Sequence, residues 1–299
     1  MGLVQRVDWD TIHARRLLPA TAERDDLTVE LFELLDHPEP EMHDTVALGV
    51  LRQWISAGVY DGVLHGLGDG LLTALNRHPR HSRQPSTSRR HGSALAISWV
   101  VDRDHTIDEL DRPTVIAWAD RVMTWVLREP ATDQPTLAGA TSTGTTSIGV
   151  GAEVIAALSA SPRLLAEELG VLLDVLLERV LTTDEVTIPD NDVDRAAFAV
   201  LSLLHRDLIP LTDVEGSLLR FADSWKPAES EGLPSPSSLR ANAIGFLRSL
   251  HLQILLGTSG TPAQDQRPTV QKHPAVRADL LLVLQDHLRA STPWLFSAQ

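Results

Sequence analysis

Residues 141–151 read TSTGTTSIGVG, and Glu153 follows two positions later. Hydroxyls and glycines crowd a stretch where a core helix is expected. At a helix start, such N–H groups and hydroxyls, Thr146 among them, could hold a polar or anionic ligand. Packed at a helix crossing, the same small residues would only let two backbones approach. Two nucleotide patterns fail here. Gly144 and Gly149 have the phosphate-loop spacing, but Val150 stands where the lysine is needed. Val154 stands where the third glycine of a dinucleotide fingerprint belongs, and no strand precedes it. Glu129 and Glu153 are a pair of carboxylates that could do acid–base work from a groove.

Other residue clusters have weaker chemistry. Asp190–Asp194 has the acidic look of a calcium loop. Arg195 and Leu201 occupy the positions of its glycine and bidentate glutamate, so that site is excluded. Acids there suit the start of a helix dipole. Residues 77–91 carry five arginines and three histidines with no acid, either an anion site or a solvated loop lying on an acidic body. His78 and His81 alone make a poor metal site. Seven tryptophans stand against one tyrosine. Trp118 and Trp125 share a helical face, and Trp54 and Trp99 sit at comparable places. They read as a wall for a planar ligand or as filler at helix junctions. No nucleophile elbow, His-Glu-x-x-His pair or catalytic triad occurs. Nothing implies a metal or another cofactor.

The elements that must position these residues are helical. From Leu27, the residues Leu31, Leu34 and Leu35 share a face until His37-Pro38. The next helix is expected over Glu39–Ser56, with Val46, Val50, Leu51, Trp54 and Ile55 inward and Gly58 as its cap. Further helices are expected over 60–77, 89–102, 113–128, 144–160, 163–181, 192–206, 213–225, 237–256 and 274–290. Pro38, Pro113, Pro162, Pro236 and Pro274 fall at or near helix starts, where the missing N–H costs nothing. Loops are expected over 78–88, 129–138, 227–236 and 257–268. A strand over Glu185–Ile188 is too short to stand alone.

The helices repeat. HPAVRADLLLVLQDHL from His273, SPSSLRANAIGFLRSL from Ser235 and DNDVDRAAFAVLSLL from Asp190 each place arginine, then alanine, then an apolar stripe. Arg195, Arg240 and Arg277 mark these units, and segments around His43 and Arg90 fit more loosely. A period of about 37–50 residues with two helices per unit is that of HEAT-like solenoids. The arginine stem can pack while its head bonds a carboxylate or carbonyl of the adjacent unit. The expected fold is therefore all-α, one solenoid of stacked antiparallel helix pairs over 1–299, with extra repeats from about 211.

Leu34–Gly58 (LLDHPEPEMHDTVALGVLRQWISAG), Arg89–Asp104 (RRHGSALAISWVVDRD), Gly149–Pro162 (GVGAEVIAALSASP) and Asp192–Arg206 (DVDRAAFAVLSLLHR) follow in a familiar order. Over about 25–210 the chain resembles the bacterial family called domain of unknown function 2785. The resemblance implies an α-helical, HEAT-like fold and leaves the activity open. Its paired arginines match Arg89 and Arg90, and its acidic-then-arginine element matches Asp192, Asp194 and Arg195. Family members carry two histidines ahead of a Gly-Ala-Asp step. Here those positions are Thr146 and Val150, and the acid is Glu153. Any chemistry of such histidines is lost from this chain.

Composition bounds the function. The 299 residues carry a net charge of −14, which repels nucleic acid. There is no cysteine, so disulfides, thiolate metal sites and cysteine nucleophiles are excluded. No apolar window is long enough to span a membrane, and Met1–Thr11 does not read as a secretory signal. Lys226 and Lys272 are the only lysines, an arginine preference that fits a GC-rich bacterial genome. A cytoplasmic protein is expected. The first expectation is a non-enzymatic solenoid binding a small molecule or a protein on its concave face. The candidate groove residues are Arg89, Arg90, Trp99, Trp125, Glu129, Thr146, Glu153, Asp194 and Arg195. The alternative is an enzyme using groove carboxylates on a small organic or secondary-metabolite substrate, which the fold does not forbid.

Overall fold

The computed structural model describes residues 7–20, 23–75, 85–131, 145–183, 186–224, 238–258 and 274–291. Among them lie twelve α-helices and no strand. They are α1 (Trp9–Arg15), α2 (Arg24–Leu34), α3 (Leu48–Ser56), α4 (Leu64–Thr73), α5 (Thr87–Ile107) and α6 (Arg112–Arg128). There follow α7 (Ser147–Ala160), α8 (Ala166–Leu181), α9 (Asp190–Leu204), α10 (Leu211–Ser224), α11 (Ser238–Leu256) and α12 (Arg277–Ser291). No helix among the described residues is long and apolar enough to cross a membrane.

The all-α expectation holds, with local corrections. The single helix expected over Glu39–Ser56 opens as a π-helix, Glu41–Ala47, before α3 begins. Gly58 closes it in the left-handed region, φ 78°, with its N–H on the Ile55 carbonyl. The short helix α1 was not expected, since its one buried apolar residue is Trp9. Thr87–His91, read as part of a basic loop, begins α5, because Ser86 caps it by accepting from the Arg89 N–H at 3.1 Å. Residues 186–189 are irregular, not a strand. His78, His81 and the loop expected over 227–236 lie outside the described residues, as does the loop expected over 257–268 apart from Gly257 and Thr258.

The chain divides into two compact units, α1–α5 and α6–α12. In the first, the π-helix packs against α1, α2, α3 and α5. In the second, alternate helices lie side by side: α7 on α9 and α9 on α11, then α6 on α8 and α8 on α10. The two rows meet through α6–α7, α7–α8, α8–α9 and α8–α11. The core is leucine-rich, as the composition requires. α7 is buried along its whole length to Ser159. Arg206 closes its far end, donating to the carbonyls of Ser159, Ser161 and Leu164 at 2.8, 2.6 and 3.2 Å. A cation belongs at that pole of the dipole.

Two histidines give the second unit a pH dependence. Burial holds the pKa of His251 on α11 and of His287 on α12 below 6.5, with Asp286 only partly opposing it at His287. The unfolded chain therefore binds more protons than the folded one just below pH 6.5. Stability falls as pH drops through that value. A lower urea midpoint at pH 5.8 than at pH 7.5 is expected on the order of those conditions, with a smaller difference in His287→Gln. Equal differences in both proteins would refute this.

Candidate functional site

Four helices, α6 to α9, bring their polar residues together at the start of α7. The Thr146 side chain does not cap α7 itself. Asp192, two residues into α9, reaches across instead. Its Oδ2 accepts from the Thr146 N–H at 2.8 Å and from Thr146 Oγ1 at 2.7 Å. Its Oδ1 accepts from Thr145 Oγ1 at 2.8 Å and from Arg195 Nη1 at 2.6 Å. An ionised carboxylate has about four acceptor sites, and this one fills them within the chain. Arg195 Nε also lies 3.3 Å from Glu153 Oε1 on α7. The three ionic residues are sealed: Asp192 is 0%, Glu153 2% and Arg195 4% exposed.

Gly149 makes this possible. A Cβ there would overlap Asp192 Oδ1 and Thr145 Oγ1. The glycine that resembled a phosphate-loop residue is thus the space in which an internal carboxylate sits. Gly151 has a similar role, since its Cβ would come within 3.0 Å of Val126 on α6. The crossing of small residues is real, and its polar content points inward.

A second group adjoins the first along the chain. Ser147 Oγ donates to the Pro130 carbonyl at 3.0 Å, tying α7 to the end of α6. Beside it, Trp125 Nε1 donates to Glu129 Oε2 at 3.2 Å. Arg179 of α8 donates from Nη2 to the Glu129 carbonyl at 2.5 Å. Burial lowers the Arg179 pKa, and the Glu129 carboxylate pulls it part of the way back. Glu129 is buried at 3% exposure.

Of the nine expected groove residues, Trp125, Glu129, Thr146, Glu153 and Arg195 belong to this cluster. Asp194 does not: it is exposed, and its Oδ1 accepts from Ser249 of α11 at 2.6 Å. Arg89, Arg90 and Trp99 lie on α5, in the other compact unit. There Arg89 Nη1 donates to Asp36 Oδ2 at 3.1 Å. Burial disfavours the Asp36 anion, but the hydrogen bonds of Ser86 and Arg89 outweigh it and hold its pKa below the carboxylate range. Arg90 is buried and donates to the Pro85 carbonyl at 2.6 Å. Trp99 is buried with Arg52 over its ring at 6.0 Å. Trp54 and Trp118 are also buried, and Thr141–Gly144 lie outside the described residues.

Sequence reasoning missed Asp192, Gly149 and Arg179 as members of the cluster. Asp192 stands out in the sequence as a dipole complement and as part of the acidic-then-arginine element of the resemblance, but not as a groove residue. Arg179 sits in a plain leucine helix and carries no local signal. Among the described residues, no group of three or more histidines, aspartates or glutamates could hold a metal ion.

The sequence profile of the family described as "Protein of unknown function (DUF2785)" matches residues 80–252, more than half of the chain. The chain belongs to the DUF2785 family. No curated protein and no solved structure matches it. The DUF2785 match begins later than the resemblance over 25–210 and runs further, into α11. It takes in α5 and all nine groove candidates, so the cluster at the start of α7 lies inside the DUF2785 region.

Proposed function

We propose that this DUF2785 protein is a non-enzymatic helical-repeat protein, a HEAT-like solenoid that binds a small molecule or a protein partner on the concave face of its stack. The observation that carries the reading is the self-satisfied state of the cluster at the start of α7. Asp192 has its acceptor sites filled by Thr145, Thr146 and Arg195. Glu129 and Glu153, the two carboxylates an enzyme would need, are 3% and 2% exposed. A substrate in a groove has little access to either. Such a cluster is a fastening between helices, and recognition falls to the surfaces they present.

The repeat reading has independent support. Side-by-side packing of alternate helices in the second unit is how solenoid repeats stack. Arg195 reaches Glu153 on α7, Arg240 donates to the Ser291 carbonyl at 2.8 Å, and Arg277 donates to Ile254 and Leu255 carbonyls at 3.0 Å. Each marker arginine thus bonds a neighbouring helix.

Native mass spectrometry of the protein purified from its own host tests the reading. A partner or small-molecule adduct, released unchanged on denaturation, is the expected result. Turnover of a released small molecule by the wild type, lost in both Glu129→Gln and Glu153→Gln while folding persists, would replace this reading with the enzymatic one.

A further inference from the structure

Helix α11 is apolar on two sides. It packs on α8, α9 and α12, burying Asn242, Ala243, Phe246, Leu247, Ser249, Leu250 and Ile254. At 100° per residue, Ala241, Ile244, Arg248, Leu252, Leu255 and Leu256 fall together on the remaining arc. An outward arc is ordinarily polar. Here Leu252, Leu255 and Leu256 are 51%, 44% and 77% exposed. Arg248 is the one charged residue of the arc, exposed, with no hydrogen bond or ion pair among the described residues.

Helix α12 lies beside α11. The bonds from Arg240 to Ser291 and from Arg277 to Ile254 fix one antiparallel register, in which Leu282 lies level with Ser249. Leu282 is 61% exposed. The apolar stripe of four turns on α11 therefore has a single cation at its midpoint.

We propose that this face docks an amphipathic helix of another protein, one with an acidic side chain at the middle of its apolar stripe. This proposal does not rest on the concave-face reading. A stripe about 24 Å long suits a helix of four turns, whose apolar residues at i, i+3, i+4 and i+7 can meet it. A wholly apolar partner would strip water from Arg248 and leave the charge unpaired, which is costly. A carboxylate at the partner's centre removes that cost and sets the register. A second copy of the chain fits poorly. In an isologous pair the central Arg248 would face its own symmetry mate.

The test is a display library of helical peptides of about four turns, with variable charge along an apolar stripe, panned on the full-length chain. The selected helices are expected to carry Asp or Glu near the centre. Their affinity should fall more than roughly tenfold in Arg248→Glu, which should in turn select central Lys or Arg. Leu255→Asp should abolish binding, with circular dichroism showing both variants folded. Selection of no helix, or of helices without a central acid, would overturn the proposal. So would binding that survives Leu255→Asp. Concentration-dependent self-association lost in Leu255→Asp would assign the face to a second copy. Tighter peptide binding by Leu295→Asp would assign it to the chain's own C-terminal residues. Either result also overturns the proposal.

Discussion

Replacing Gly149 by alanine will destabilise the second unit by several kcal/mol, although the change adds one methyl group. That carbon would overlap Asp192 Oδ1 and Thr145 Oγ1, so the carboxylate has to move. Overpacking alone costs about 1–3 kcal/mol. Displacing Asp192 adds the loss of its bonds to Thr145, Thr146 and Arg195, beside a buried arginine. Breaking such a buried pair costs about 3–5 kcal/mol, and the same figure is expected for Asp192→Ala. A fall in Tm on the order of 10 °C follows for either variant. In the Asp192→Ala background one of the two overlaps is gone. There Gly149→Ala should cost about 1–2 kcal/mol less than in the wild type. A urea-unfolding double-mutant cycle measures this. Additive costs would mean that Gly149 is required for some reason other than the carboxylate.

Asn242 carries the second large effect. Its Nδ2 donates to the carbonyls of Thr183 at 2.8 Å and Val186 at 3.0 Å, and its Oδ1 accepts from the Ile188 N–H at 2.8 Å. One buried amide on α11 thus satisfies three backbone groups of the connection between α8 and α9. Asn242→Leu leaves all three without their partner. At roughly 1–3 kcal/mol for each buried orphan, a loss of about 3–9 kcal/mol is expected. Asn242→Asp separates shape from hydrogen bonding. It keeps the acceptor for Ile188 but, when ionised, turns a negative oxygen toward two carbonyls. Its folded pKa should rise above that of the unfolded chain, so the folded state binds more protons. Stability of this variant should therefore recover as the pH is lowered, opposite to the trend expected from His251 and His287. Hydrogen exchange at the Ile188 amide would follow it directly. Unchanged protection in Asn242→Leu would show that the loop does not depend on this side chain.

Much of the fold is legible in the sequence, because apolar periodicity is a local property. The expected end of α8 matches Leu181 to the residue, and its start and the bounds of α7, α9 and α11 agree to within a few residues. The π-helix at Glu41–Ala47 was not, since a one-residue widening of the turn leaves the apolar pattern nearly intact. The site was legible in part. Glu153 and Arg195 were paired with a groove, and they do come together. Their burial could not be read, because it depends on α6, α8 and α9 closing over α7 from several sides. The same limit hid Asp192: its partners Thr145 and Thr146 lie a whole helical hairpin upstream. Asp194, two residues on, has the same chemistry in sequence, yet it faces α11.

The buried course of α7 also has a consequence during synthesis. Thr146 must wait for Asp192, 46 residues later, before its N–H and hydroxyl find their acceptor. At about 5–20 residues per second, the ribosome delivers that partner roughly 2–9 seconds after Thr146 itself. Between its own emergence from the ribosome and that of Asp192, a helix that ends buried along its length has only α6, and then α8, beside it. Synonymous codon changes that slow elongation between residues 160 and 190 would lengthen its exposure without altering a single amino acid.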